Sequence, residues 1–310
     1  MCAPFGRRSM AGPRTTGPGG DADSVAVVGP RAVLLLSCPD QPGVVANVAN
    51  FVWRNGGNIV DADQHTDTED GVFFQRIEFD LDGFAFDRTE LREVFDPLAR
   101  RFGMDVTVRF SDERPRMAVL ASQAPHCLVD LLGRWHAGEL AAELALVASN
   151  HPDHRELCEF FGIEFHHLAV GDDPADQDGA MCALLVEKQI DLVVLARYMR
   201  ILSPGFVRAW PNGIINIHHS FLPAFVGAQP YRQAHERGVK IIGATAHFVT
   251  EELDQGPIIA QDVAHITHRD GVEELTRKGR DLEVVVLARA LRAHLDHRVL
   301  PWGNRTVVFD

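Results

Sequence analysis

The periodicity of the apolar residues changes at residues 111–115, and this change constrains the fold more than any other feature of the chain. Ser111-Asp112-Glu113-Arg114-Pro115 is polar and contains proline, so a domain boundary is placed there. Before it, residues 31–38 read as an apolar strand and Pro39-Asp40-Gln41-Pro42-Gly43 as a turn. Val44, Val45, Val48, Phe51 and Val52 then recur at helical spacing and stop at Asn55-Gly56-Gly57. Residues 58–65 and 72–81 read as strands joined by a hairpin signal at Thr68-Glu69-Asp70-Gly71. Residues 87–101 follow as an amphipathic helix and 105–110 as a last strand. The order βαββαβ predicts a ferredoxin-like layer.

After the boundary, short apolar strands at 117–121, 145–148, 192–196 and 214–217 alternate with helical patterns at 127–135, 153–161, 175–188 and 205–210. That alternation predicts an α/β domain with a Rossmann-like open, mostly parallel sheet. Residues 241–249 and 258–264 read as two further strands around the loop that carries Asp254. Residues 273–295 form a long helix on the period of Leu275, Leu282, Val285, Val286, Ala290 and Leu291. The expected organisation is a disordered tail, rich in Gly, Pro, Thr and Arg, over residues 1–29, a first domain over 30–112 and a second over 115–310.

The formal net charge of −13, with dispersed arginines, disfavours nucleic acid as a partner. Five scattered cysteines without C-x-x-C spacing point to a reducing compartment, with no disulfide framework and no zinc site. No apolar run approaches the ~18 residues of a membrane span. Arg7-Arg8 lacks the apolar segment of a secretion signal, so a cytoplasmic location is expected. His151-Pro152-Asp153-His154 and His166-His167 lack a third ligand at metal spacing and are expected in surface or capping roles. Asp61-Ala62-Asp63 is expected to be a solvated edge. No metal is expected.

The apolar strand at 214–217 ends by presenting Asn216 and His218, at i and i+2, on one side. Asp254 is available from a later loop. Amide, imidazole and carboxylate together can bind an oxyanion and manage a proton beside a carbonyl. In open α/β sheets ligands bind beyond the carboxyl ends of strands. The loop from Arg197 to Pro204 sits at such an end, so chemistry and a ligand loop share one rim.

Asn216-Ile217-His218-His219-Ser220-Phe221-Leu222-Pro223 followed by Asp254-Gln255-Gly256 resembles the folate-dependent formyl transferase and hydrolase superfamily, whose members carry N-I-H-x-S-x-L-P and a later D-x-G. Residues 31–310 as a whole resemble the formyltetrahydrofolate deformylases, an amino-acid-binding ACT domain followed by a formyl-transferase-like domain. The phrases that carry this are C-P-D-Q-P-G from Cys38, P-H-C-L-V-D-L-L from Pro125, L-A-R-Y-M-R-I-L-S-P from Leu195, I-I-N-I-H-H-S-F-L-P-A-F from Ile214 and V-K-I-I-G-A-T-A-H-F-V from Val239.

The resemblance implies hydrolysis of 10-formyltetrahydrofolate to formate and tetrahydrofolate, without a cofactor, in balancing one-carbon pools and supplying formate for purine synthesis. It implies that Asn216 and His218 polarise the formyl oxygen and that Asp254 sits near N10 and the attacking water. Tyr198, Met199, Arg200, Ile201 and Leu202, with Thr250 and Leu253, would hold the pterin largely through backbone groups. Ordinary packing is the other reading of Met199, Ile201 and Leu202. His219 is either a water-positioning group or an outer hydrogen-bonding partner. The leaving nitrogen would take its proton from a carboxyl of raised pKa or from the histidine.

In the first domain Asp40, Gly43 and Asn58 resemble ACT effector contacts for a small amino acid such as glycine or methionine, although they can equally serve the turn alone. The bare face of a ferredoxin-like sheet is usually covered by a partner, which predicts a homodimer or homotetramer. Two other functions share the same residues: a formyl transferase with a small amine acceptor, and a catalytically silent amino-acid sensor. Against the transferases, the turn from Ala121 to His126 lacks the glycines of a phosphate cradle, no tRNA-binding domain is expected after Asp310, and His219 stands where they mostly carry Pro. Gln229 and Arg232 depart from the family phrase, which has a basic residue before Pro230.

Overall fold

The computed structural model describes residues 29–170, 174–222 and 230–310. The expected disordered tail therefore falls outside the described residues except at its last position, and Gln229 also lies outside them.

The first domain runs β1 (Arg31–Pro39), α1 (Val44–Arg54), β2 (Asn58–Asp67), β3 (Val72–Asp80), α2 (Leu91–Phe102) and β4 (Asp105–Phe110). Its four-stranded sheet has the order β2-β3-β1-β4, antiparallel throughout. Alternation along β1 sends Ala32, Leu34 and Leu36 into a core with Val44, Val48 and Val52 of α1 and with Leu91 and Phe95 of α2. α2 begins four residues later than its apolar pattern. Asp87 Oδ1 accepts from Thr89 N, and Glu90 Oε2 accepts from Asp87 N, which holds this stretch in a turn.

The second domain continues with β5 (Arg116–Ala121), α3 (His126–His136), β6 (Glu143–Ser149), α4 (Arg155–Phe161), β7 (Glu164–His167), α5 (Pro174–Glu187), β8 (Leu192–Ala196) and α6 (Pro204–Ala209). β9 (Ile214–His218), α7 (Pro230–Arg237), β10 (Ile241–Phe248), β11 (Ile258–His265), α8 (Val272–Leu295), β12 (Val299–Trp302) and β13 (Arg305–Val308) complete it. The large sheet has the order β11-β10-β9-β8-β5-β6-β7. Its strands from β9 to β7 are parallel, while β10 and β11 are antiparallel. The chain enters at β5, builds outward to β7, then returns to the other side of β5 with β8. The reversal between β5 and β8 opens a crevice at their carboxyl ends.

Three features escape the apolar pattern. β7 is a four-residue edge strand that contains two histidines, α7 is strongly polar, and the hairpin β12–β13 is short and holds Pro301. That hairpin changes the expectation of a bare sheet face. Leu300, Val307 and Phe309 pack on Leu35, Val72 and Phe74 of the first domain, on the side away from α1 and α2. Trp302 meets Phe74 edge-on with ring centroids 5.6 Å apart. Arg305 pairs with Asp67 and Asp70. Buried Arg76 of β3 donates to Glu78 at 2.7 Å and to the carbonyl of His297, just past α8, at 3.1 Å. Part of the face expected to need a partner is thus covered by the chain's own C-terminal segment.

Among the described residues Cys38, Cys127, Cys158 and Cys182 are free, and no helix is long and apolar enough to cross a membrane.

Candidate active site

The catalytic rim is built on β9. Ile215 and Ile217 face the core formed with α8, whereas Ile214 belongs to the core on the other side of the sheet, with Tyr198 and Phe206. Alternation therefore puts Asn216 and His218 on Ile214's side, beside the loop that follows β8. Asp254 arrives from the connection between β10 and β11. Gly256 makes this possible: a Cβ there would lie 1.8 Å from the Phe248 carbonyl oxygen, so only glycine lets the loop fold back this tightly. Asp254 adopts φ 56°, a left-handed conformation tolerated by Asp.

His218 Nδ1 lies 3.4 Å from Asp254 Oδ2, and its Nε2 is buried with no hydrogen-bond partner among the described residues. The ring is thus anchored at one nitrogen and presents the other to a substrate. The His218 ring holds the Asp254 carboxyl below its ordinary range, against the opposing effect of burial. Of the two proton sources expected, a carboxyl of raised pKa is not what Asp254 offers, because its shift is downward, and this direction favours the other, the histidine.

The sequence reading assigned no role to His247. β10 runs antiparallel to β9 and pairs His247 directly opposite Asn216. His247 Nδ1 donates to the Phe248 carbonyl at 2.8 Å, so its Nε2 accepts from Asn216 Nδ2 at 3.2 Å. This bond fixes which end of the amide carries the N–H groups. Two residues earlier, buried Thr245 bonds Ser220 O at 2.9 Å and receives Leu222 N at 3.1 Å, which ties down the chain after His218.

The ligand loop is split by burial. Tyr198 is a core residue, so any contact it makes with a ligand is through its backbone. Met199 and Ile201 are 61% and 76% exposed, and Leu253 across the rim is 57% exposed. Packing does not account for these three; they form an apolar lip beside the catalytic groups. Leu202 is partly buried against the core beneath, and Arg200 is partly exposed. Met199 N donates to Ser122 Oγ at 3.2 Å across the β5/β8 crevice. Thr250 Oγ1 donates to Glu252 O at 3.1 Å and so shapes the turn that carries Asp254.

Just past the end of β9, His219 stacks on His218, with centroids 5.1 Å apart, and approaches Tyr231 of α7 at 6.2 Å. Burial, with Arg197 and His218, pushes His219 down to about 4. Behind it, Glu283 of α8 is 1% exposed and accepts from Tyr231 Oη at 2.6 Å, with His126 Nε2 at 2.7 Å and Arg197 Nε at 3.4 Å. His126, Cys127 and Glu283 are metal-ligand types within 4.8 Å of one another. Glu283 is already engaged by those neighbours, and burial raises the Cys127 thiol, so this donor set suits a proton network better than a cation.

The other predicted residues are scattered. His154 is buried against Ser122 O, not surface-exposed, whereas His166 pairs with Glu164 at 2.7 Å. Asp61 pairs with buried Arg76. Asp40 and Gly43 stand at the Pro39 end of β1, with Gly43 at φ 93° before α1. Asn58 lies opposite Asp80, and so at the Arg31 end. Within one chain the effector residues are therefore at opposite ends of the sheet. Arg232, on α7, is exposed.

The buried histidines make stability sensitive to acid. Burial pushes His219 and His294 down to about 4 and also lowers His247 and His297. Between their ordinary range near 6.5 and these depressed values the unfolded chain binds more protons, so stability falls as pH falls through that window. By about pH 5, His219 and His294 should each cost ~2 kcal/mol. Urea midpoints at pH 7 and pH 5 measure this, and equal midpoints would refute it.

A formyl transferase family model matches residues 115–291, and an ACT domain model matches residues 32–101. The chain is 56% identical to the formyltetrahydrofolate deformylase of Synechocystis sp., over 90% of this chain and 98% of that protein. The chain belongs to the formyltetrahydrofolate deformylase family. The crystal structure of a deformylase from Pseudomonas syringae pv. tomato superposes with a TM-score of 0.89 at 48% identity, covering 92% of this chain and 96% of that one. A glycinamide ribonucleotide transformylase from Symbiobacterium toebii covers 64% of this chain and 95% of its own, with a TM-score of 0.61 and 34% identity. About two thirds of the chain thus shares its fold with a transformylase.

Proposed function

We propose that the chain hydrolyses 10-formyltetrahydrofolate to formate and tetrahydrofolate. The observation that carries this is the convergence of Asn216, His218 and ionised Asp254 beside the apolar lip of Met199, Ile201 and Leu253. The pterin lies along Tyr198–Leu202 and the Thr250–Asp254 turn, which places the formyl carbon at Asn216 and His218. Water adds to that carbon, and the Asn216 amide stabilises the tetrahedral oxyanion. His218 takes a proton from the water as it adds and passes it to N10 as the C–N bond breaks, while Asp254 holds the ring and balances its charge. Formate release from 10-formyltetrahydrofolate with no amine present tests this. A folded chain that releases formate only when an amine is added is a transferase, and one that never does is a silent sensor.

The reaction needs no metal, because oxyanion and proton are served by side chains. Exhaustive chelation is expected to leave kcat unchanged. Loss on chelation with recovery on adding zinc would overturn this.

The chain works in the cytoplasm, in the supply of one-carbon units and of formate for purine synthesis. The ACT domain takes a small amino acid, glycine or methionine, between paired first domains of a homodimer or homotetramer. Asp40 and Gly43 lie far from Asn58 within one chain, so the three contact one ligand only where a second copy brings its own sheet end alongside. Typical coupling of ~1–3 kcal/mol shifts the rate by roughly 5–150-fold at saturation, if it reaches the catalytic step.

A further inference from the structure

We propose that Arg197, Tyr231, His126 and Glu283 form a specificity element, which fills the α8 side of the catalytic rim and denies it to amine acceptors. This rests on the hydrolase reading and deepens it. The two reactions differ only in the nucleophile. In hydrolysis, water adds to the formyl carbon, the C–N10 bond breaks, and N10 takes a proton, giving formate, a released proton and tetrahydrofolate. In transfer, an amine adds instead, and the same bond cleavage leaves an N-formyl amine. Neutral amines are stronger nucleophiles than water, so a hydrolase must keep them from the formyl carbon. The phrases N-I-H-x-S-x-L-P and D-x-G mark transferases and hydrolases of the superfamily alike, so the catalytic triad does not make this choice.

The exclusion has a definite place. Tyr198 and Leu202 of the proposed pterin loop pack on the Ile214 side of β9. Among the described residues, the opposite side, toward α8, is the approach that remains for a nucleophile with any bulk. It is occupied by Tyr231, whose hydroxyl is bonded to Glu283 at 2.6 Å. The ring is seated so closely on α8 that a Cβ at Gly279 would lie 2.1 Å from its oxygen. Arg197 completes the fill. It stands at φ 61°, a conformation that costs a non-glycine residue energy and persists where the surroundings impose it. Its Nε and Nη1 are buried without hydrogen bonds among the described residues, although Nε lies 3.4 Å from Glu283 Oε2. A strained backbone and unbonded donors are poor contributions to stability, which points to a functional reason for an arginine here. His219 links the element to the chemistry, stacked on His218 and facing Tyr231. An amine acceptor would have to displace the Tyr231–Glu283 bond to enter, whereas a water molecule needs far less room.

Arg197→Gly and Tyr231→Ala in the full chain test this, with glycinamide as the probe amine. Arg197→Gly relieves the left-handed backbone and is therefore expected to fold even if Tyr231→Ala does not. Formate and N-formylglycinamide are quantified by mass spectrometry against a reaction without enzyme. The wild-type chain should give formate alone. Each folded variant should also form N-formylglycinamide, with the amine-to-water partition raised about 10–200-fold, the range by which pocket shape discriminates. Folded variants that hydrolyse with the wild-type partition would overturn the proposal and leave the hydrolase reading intact. So would variants that lose formate release without gaining amine product, since the network would then serve the water chemistry. No formate from the wild-type chain would overturn the hydrolase reading itself, and this proposal with it.

Discussion

Asp254→Asn is expected to lower kcat by about 10²–10⁴-fold while leaving the fold intact. Among the described residues the carboxylate is the partner of His218 Nδ1, at 3.4 Å, and the imidazole holds it below the ordinary carboxylate range. An amide in its place cannot balance the charge that develops on the ring as it carries the proton. It can also present an N–H to Nδ1 and favour the wrong tautomer. Because the anchor acts on the chemical step, the loss should fall on kcat far more than on KM. A folded Asp254→Asn chain that keeps more than about a tenth of wild-type kcat would remove this residue from the mechanism.

Asn216→Ala is expected to cost about 10²–10³-fold in kcat, the typical effect of losing one oxyanion donor. The amide does little for the fold, because Ile214, Ile215 and Ile217 hold the strand. His247→Phe should reproduce a milder form of the same defect, since it removes the Nε2 acceptor that fixes the Asn216 amide at 3.2 Å. Unchanged kcat in a folded Asn216→Ala chain would refute the oxyanion role. Equal losses in both variants would mean that orientation of the amide matters as much as its presence.

The architecture was legible because its signals are local. Period-two runs such as Ile214 to Ile217 and the glycine stop after α1 depend on neighbours in sequence, and the observed strands follow them closely. That His218 and Asp254 would come together was legible through motif and resemblance. What was not legible depends on register and distance. His247 meets Asn216 only because β10 lies antiparallel to β9 with that residue opposite Asn216. Glu283 reads as one more charge on a long helix, and only the packing of α3 and α7 against α8 turns it into a buried hub. Arg197 looks like a surface cation until its positive φ is known. The separation of Asn58 from Asp40 and Gly43 was not legible either, because strand pairing sets the end of the sheet at which each lies.

The C-terminal hairpin that lies on the first domain also sets the order of events during synthesis. The first domain leaves the ribosome complete in sequence, but Leu35, Val72 and Phe74 have no cover until Leu300, Val307 and Phe309 emerge. Arg305 and Asp70 are 235 residues apart. At about 5–20 residues per second the nascent domain therefore displays an apolar, incompletely buttressed face for roughly 10–50 s. A stop codon before Leu300 would make that exposure permanent. Excising residues 1–112 would create its mirror image, by stranding the hairpin and leaving the carbonyl of His297 without Arg76. The two domains are separate in pattern, but they mature as one body, and the last residues translated complete the first domain made.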